Sequence, residues 1–276
     1  MTGKGVEVAQ GAMEKVIRAI EEADYSPFVL AAYKSGRPMD SWSGLNRLMC
    51  VLEGTQDARG YKQWQKVGRH VKAGSKAIYI LVPLVIKVKE KVINEAGEVE
   101  ERERPFIKGF RGVPVFKYED TEGEPLPEIE VPKIPANLQA VADKIGVKVR
   151  FENFNGQEYG YFSPMFNNIV LKSPEMEVAC HELSHAVDMK VLKAYEGYED
   201  GEFVAELSAA ILCSMFGFDF EAGRVKTYIK SWKPDSVKEI RREVKLLERV
   251  LKVVEWIYTV ATTGEEPKPL SSQEPQ

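Results

Sequence analysis

Five consecutive residues, His181-Glu182-Leu183-Ser184-His185, place two imidazoles four positions apart with an acid directly after the first. On an α-helix four positions advance about 6 Å and nearly one full turn, so both rings face one point from successive turns. An imidazole pair so placed is a divalent-metal site, zinc by preference, and manganese or cobalt suit the same donors. Glu182 stands a step round the helix axis, where it can reach a water at the metal without occupying the metal itself. That is the geometry of metal-assisted hydrolysis: the ion lowers the pKa of a water toward about 7, and the carboxylate removes its proton and passes it to the leaving amine. The chain has three histidines in all, and two of them are here.

A catalytic zinc takes three protein groups and keeps one position open. Seventeen residues after His185 the stretch EFVAELSAAIL, 202–212, sets Glu202 and Glu206 one turn apart on a helix otherwise made of small and apolar residues. Carboxylates on such a face are costly without a cation or donors beside them. The spacing predicts Glu202 as the third ligand and Glu206 as the acceptor that orients one imidazole through its free N–H. The exchanged assignment stays open, and a capping role near the helix start is the structural alternative for Glu202. Asp188 is a second candidate acceptor for an imidazole proton, or a solvated acid. Cys180, although next to His181, points elsewhere on the helix and is not read as a ligand. Tyr195 and Tyr198 are candidates for stabilising an oxyanion on sequence proximity alone.

These residues need elements to hold them. Helical periodicity predicts helices over 10–24, 40–54 and 61–68, and β-branched runs predict strands over 78–88 and 106–118 around a mixed-charge loop or hairpin at 89–104. Prolines 125, 127, 132 and 135 among acids read as a stiff linker, 121–135. Beyond it follow a helix at 136–146, a strand at 147–151, and a hairpin of 159–162 with 169–171 around Asn167-Asn168. The strand 169–171 runs into the metal helix, and as an edge strand it could take an extended peptide by β-augmentation. Three helices close the chain, 175–192, 202–216 and 236–261, the last with a core-facing stripe of Val237, Ile240, Val244, Leu247, Leu251, Val254 and Tyr258. Residues 264–276 read as a polar tail. The expected fold class is therefore α+β in two domains: an N-terminal α+β domain, 1–120, and a C-terminal domain, 136–263, of a small sheet and a bundle of helices.

Composition narrows the function classes. With 44% hydrophobic and 29% charged residues in 276, the chain is globular, not disordered. No run approaches the roughly 18 apolar residues of a membrane span, and no basic-then-apolar leader opens it, so a cytoplasmic protein with no membrane partner is expected. Three widely separated cysteines without a CxxC pair read as buried free thiols. Residues 1–120 carry a net charge of +4 and the remainder −8, and between Lys34 and Lys87 ten basic residues face three acidic ones. An electropositive front half suggests a polyanionic partner there.

The front half also carries SWSGLNRL (41–48), GYKQWQKVGRHVKAGSKAIYIL (60–81) and GFRGVPVFKYEDTEGEPLP (109–127). Together with HELSHAVD and EFVAELSAA, in this order over about residues 10–260, these passages resemble the ArdC-like antirestriction proteins. That resemblance implies an N-terminal single-stranded-DNA-binding domain joined to a C-terminal zincin-like metallopeptidase domain, with protein or peptide as its substrate. The residues alone offer what a single-strand binder needs: Arg47, Arg59, Lys62, Lys66, Arg69, Lys72 and Lys76 to line a phosphate path, and Trp42, Tyr61 and Trp64 as stacking faces, with Asn46 a further DNA-binding candidate. Two functional classes follow. One is a DNA-localised zinc peptidase with Glu182 as general base; the other is a non-catalytic DNA-binding protective protein of a mobile element with a structural metal site. An uncoordinated acid next to the first ligand favours the former.

Overall fold

The computed structural model describes residues 3–32, 36–93, 99–127, 137–152, 159–172, 175–194, 196–218, 220, 223–229, 232 and 237–267. The front half opens with helices α1 (Gly3–Glu21), α2 (Ser26–Ala32) and α3 (Gly44–Leu52), α2 being a helix the periodicity did not suggest. Helix α3 starts later than the predicted 40–54, because Ser43 caps it by accepting the Asn46 N–H. Then come β1 (Ala58–Arg59), α4 (Tyr61–Lys66), β2 (Arg69–Val71), β3 (Ile78–Ile93), β4 (Val99–Lys117) and β5 (Thr121–Gly123). Strands β3 and β4 run through the mixed-charge stretch, so of the loop or hairpin expected there it is the hairpin that forms. Opposite charges pair diagonally across them, Lys87 with Glu103, Lys89 with Glu101 and Glu90 with Arg104, and such cross-strand pairs favour a ladder. The tip of this hairpin, 94–98, lies outside the described residues.

The back half holds α5 (Leu138–Lys144), a sheet of β6 (Lys148–Phe151), β7 (Gly160–Ser163) and β8 (Asn168–Leu171), and helices α6 (Met176–Lys190), α7 (Tyr198–Phe216), α8 (Gly223–Ile229) and α9 (Val237–Thr263). The sheet order is β6-β8-β7, with β8 parallel to β6 and antiparallel to β7. Strand 169–171 is thus central, not the edge expected from sequence, because β6 claims its second side. Among the described residues β7 is the strand left outermost on the metal-helix side. Gly160 lets it close in: a Cβ there would meet Val178 Cγ1 at 2.7 Å and Leu171 Cδ2 at 2.9 Å.

The two halves share one core. Met13, Val16 and Ile20 of α1, Phe28 of α2, and Leu45 and Leu48 of α3 are buried in the same cluster as Leu183, Leu207, Leu247 and Ile257. A second, smaller cluster around Met39, Trp42, Ile80 and Val115 belongs to the front half alone. The predicted separation at 121–135 is therefore not a separation in packing. Residues 121–123 pair with β2 as strand β5, and Arg37 donates to the Pro127 carbonyl at 2.6 Å, so the start of the expected linker is bound to the front half. Residues 128–136 of that linker, and 268–276 of the expected tail, lie outside the described residues.

Helix α9, 27 residues and so about 40 Å long, is what unites the halves. Its buried residues include Leu246, Val250, Val253 and Trp256 besides Ile240, Leu247, Leu251 and Val254, so apolar contact spreads well beyond the single stripe read from sequence. Neighbours on several sides explain this. Gly44 permits the closest approach, since a Cβ there would stand 2.7 Å from Leu251 Cβ. Polar ties reinforce it: Glu248 accepts the Leu45 N–H at 3.1 Å, and Arg47 donates to Glu255 at 2.9 Å. No described helix is long and apolar enough to cross a membrane.

Candidate metal centre and basic front face

Helix α6 presents His181 and His185 as their spacing requires: the rings are 4.8 Å apart and nearly perpendicular, with the two Nε2 atoms 3.1 Å from each other. Helix α7 crosses α6 and brings Glu202 onto the same point, Oε1 at 3.3 Å from His185 Nε2 and Oε2 at 3.7 Å from His181 Nε2. One ligand atom from each of the three lies within 4.8 Å of the others. Glu206, one turn further along α7, takes the opposite side of His181, with Oε2 at 3.0 Å from Nδ1. Of the two arrangements left open by sequence, the geometry therefore has Glu202 on the ligand side and Glu206 behind the imidazole. The capping alternative for Glu202 falls away, because α7 begins at Tyr198, a full turn earlier than predicted.

The donor set fits a divalent cation. With Nδ1–H of His181 directed to Glu206, its Nε2 lone pair faces the Glu202 carboxylate and the second imidazole, a cluster of donors that repel one another unless a positive charge stands among them. The local field is cation-seeking. Burial works against a charged His181, yet the Glu206 hydrogen bond and the charges of Glu182, Glu206 and Glu202 outweigh it and raise the imidazole pKa.

Glu182 is buried and its pKa is raised, by burial first, against the opposing pull of His181 and His185. The backbone N–H of Phe162, on β7, donates to its carboxylate, so the outer strand of the sheet fixes the acid beside the metal ligands. Asp188 has a different partner from the one considered. It is buried and gripped by the Arg249 guanidinium of α9, Nε to Oδ1 at 3.1 Å and Nη2 to Oδ2. Cys180 turns away into the α6–α7 contact, where a hydrogen bond with Cys213, then burial, raises its thiol pKa. Tyr198 is exposed at the start of α7; Tyr195 lies outside the described residues. The front half reaches the centre too: burial, then the charge of Glu206, pushes the Tyr25 hydroxyl up to about 12.

The residues expected to touch DNA separate into two groups. Lys62, Lys66, Lys72 and Lys76 are exposed around α4, β2 and the loop after it. Trp42, Asn46, Arg47, Trp64 and Arg69 are buried, and they serve the fold. Asn46 exchanges two hydrogen bonds with the backbone of Leu81, donating at 2.9 Å and accepting at 2.8 Å. Arg47 donates to the carbonyls of Ala31 and Asp40 as well as to Glu255. Arg69 clamps β5 through Thr121 and Gly123, with its guanidinium 4.3 Å over the Tyr118 ring. Trp64 donates its indole N–H to the Phe116 carbonyl at 2.9 Å. Planar forks and amides satisfy buried carbonyls well, which is why these residues lie inside although their types also suit nucleic acid. Tyr61 is the aromatic that stays half exposed on α4.

Residues 7–116 match the family described as the N-terminal domain of anti-restriction factor ArdC. Over these residues the chain is similar to ArdC. In fold the likeness covers nearly all of it: the metal-free crystal structure of antirestriction ArdC from plasmid R388 superposes with a TM-score of 0.57 at 19% identity, over 92% of this chain and 97% of that one. The Mn(II)-bound structure of the same R388 protein gives a TM-score of 0.57 at 16% identity, over 93% and 99%. No curated protein matches in sequence. The four exposed lysines are the cations of the expected set that remain available to a phosphate backbone. Replacing Lys62 and Lys66 together by Ala is expected to lower the salt slope of single-strand binding by about 1.4, at roughly 0.7 per phosphate contact. Fluorescence anisotropy across a salt series measures it; an unchanged slope, or lost metal content, would count against this face.

Proposed function

We propose that the chain is a single-stranded-DNA-binding metallopeptidase of antirestriction type, acting in the cytoplasm on peptide bonds of DNA-associated proteins. The observation that carries the catalytic part is Glu182: it lies beside three convergent ligands, is itself uncoordinated, and is held by the Phe162 N–H. A purely structural metal site has no use for such an acid. Zinc suits two imidazoles and a carboxylate, and manganese or cobalt suit them too; the R388 protein has been obtained with Mn(II). What the ion supplies is Lewis acidity, which brings the pKa of a water toward about 7. The chain's own groups do the rest. Glu182 accepts the proton of the attacking water and returns it to the leaving amine, Glu206 keeps the His181 ring in one tautomer, and β7 offers an outer strand along which an extended peptide lies next to Glu182.

The test compares wild type with Glu182→Gln for zinc content, for binding of single-stranded DNA, and for cleavage of a DNA-bound protein mixture with and without that DNA. The variant is expected to keep both kinds of binding and to cut about 10²- to 10⁴-fold more slowly. If wild type binds DNA and cuts nothing, protection by binding alone becomes the better account.

A further inference from the structure

The front half contains a cavity of about 600 Å³ that the metal centre does not use. It is lined by half-buried Leu30 of α2, Val51 of α3 and Tyr118 and by the segment 125–127, and Gln56 and Glu119 of the lining are exposed at its mouth. The polar groups at its back are held firmly. The Asp57 carboxylate is fully buried, bound by Arg59 at 2.9 and 2.8 Å and approached by Arg37 at 3.7 Å, while Arg37 also donates to Pro127. This is a built pocket, within the usual range of about 300–1,000 Å³ for a small ligand.

Its charge says which part of a ligand enters. Arg37 and Arg59 stand against Asp57 and Glu119, so the charges in and around the lining balance and the interior holds no surplus cation for a phosphate. Outside the position is reversed. Exposed Lys72 reaches the Glu119 carbonyl with its Nζ at 3.1 Å, which sets one of the four surface lysines at the cavity's edge. A flat, uncharged group with hydrogen-bonding edges suits the interior, and an anionic backbone suits the rim. Resting on the proposed single-strand binding, we propose that this cavity takes one unstacked nucleobase from a strand whose phosphates pass over Lys72. Tyr118 forms its aromatic wall, itself held in place by the Arg69 guanidinium on one face.

The test measures binding of the full chain to two fluorescent decamers, oligo-dT and an abasic phosphodiester of equal charge, over a salt series. Two variants close the cavity in different ways: Val51→Phe fills its interior from the α3 side, and Gln56→Trp, at an exposed position, covers the mouth without touching the core. Each is expected to weaken binding of the base-bearing decamer about 10-fold or more, the contribution of one base contact, with the abasic decamer and both salt slopes unchanged. If both variants bind oligo-dT as wild type does, the cavity is not a base site, although single-strand binding stands. If wild type binds neither decamer, the DNA-binding reading fails and the base site with it.

Discussion

Glu202→Gln lowers the affinity for Zn²⁺ by about 10³-fold or more, on the expectation that one of three protein ligands supplies several of the roughly 10–16 kcal/mol typical of zinc sites. Glu206→Gln lowers it only about 10- to 100-fold, the usual effect of removing an acceptor behind a ligating imidazole. The contrast follows from which side of His181 each acid occupies: Glu202 faces the Nε2 atoms of both histidines, whereas Glu206 lies 3.0 Å from Nδ1 of one. Competition with a chromogenic zinc chelator reads both constants. Equal losses, or a greater loss in Glu206→Gln, would reverse the assignment.

Asp188→Ala is expected to destabilise the whole chain by about 3–5 kcal/mol, because it strands the Arg249 guanidinium in the interior. Both partners are almost wholly buried, and the fork of Arg249 meets both carboxylate oxygens. At about 2–4 °C per kcal/mol for a protein of this size, the melting temperature falls by roughly 6–20 °C. Replacing the pair together, Asp188→Leu with Arg249→Met, recovers much of the loss, since no charge is then left unpaired. A single-variant loss below about 1 kcal/mol in urea titration would show that water reaches the pair. The consequence reaches further than stability. Asp188 is three residues beyond His185, and Arg249 follows Glu248, which binds the start of α3. Helix α9 thus ties the metal helix and the front half to the same two turns of chain, and loosening it is expected to lower metal affinity as well.

What could be read without the structure is what depends on spacing within one element. The two imidazoles converge because four residues make nearly a helical turn, and Glu202 and Glu206 share a face for the same reason; most helices and strands follow from periodicity too. Sequence could not separate the front-half residues, because tryptophans, arginines and an amide have the same types whether they face DNA or a buried carbonyl. Asn46 meets Leu81, Arg69 meets Thr121, and Arg47 meets Glu255, 208 positions away. Nothing local marks Arg249 as the partner of Asp188, or β6 as the strand that makes β8 central. Those outcomes depend on which distant surfaces meet, and only the shared core around α9 decided them. That core also crosses the division expected at the proline-rich stretch: composition records where a chain is stiff and polar, whereas the burial of α1, α2 and α3 against α7 and α9 is a matter of complementary apolar faces. Local periodicity determined the geometry of the candidate ligand pair on α6, and long-range packing determined what surrounds and supports it.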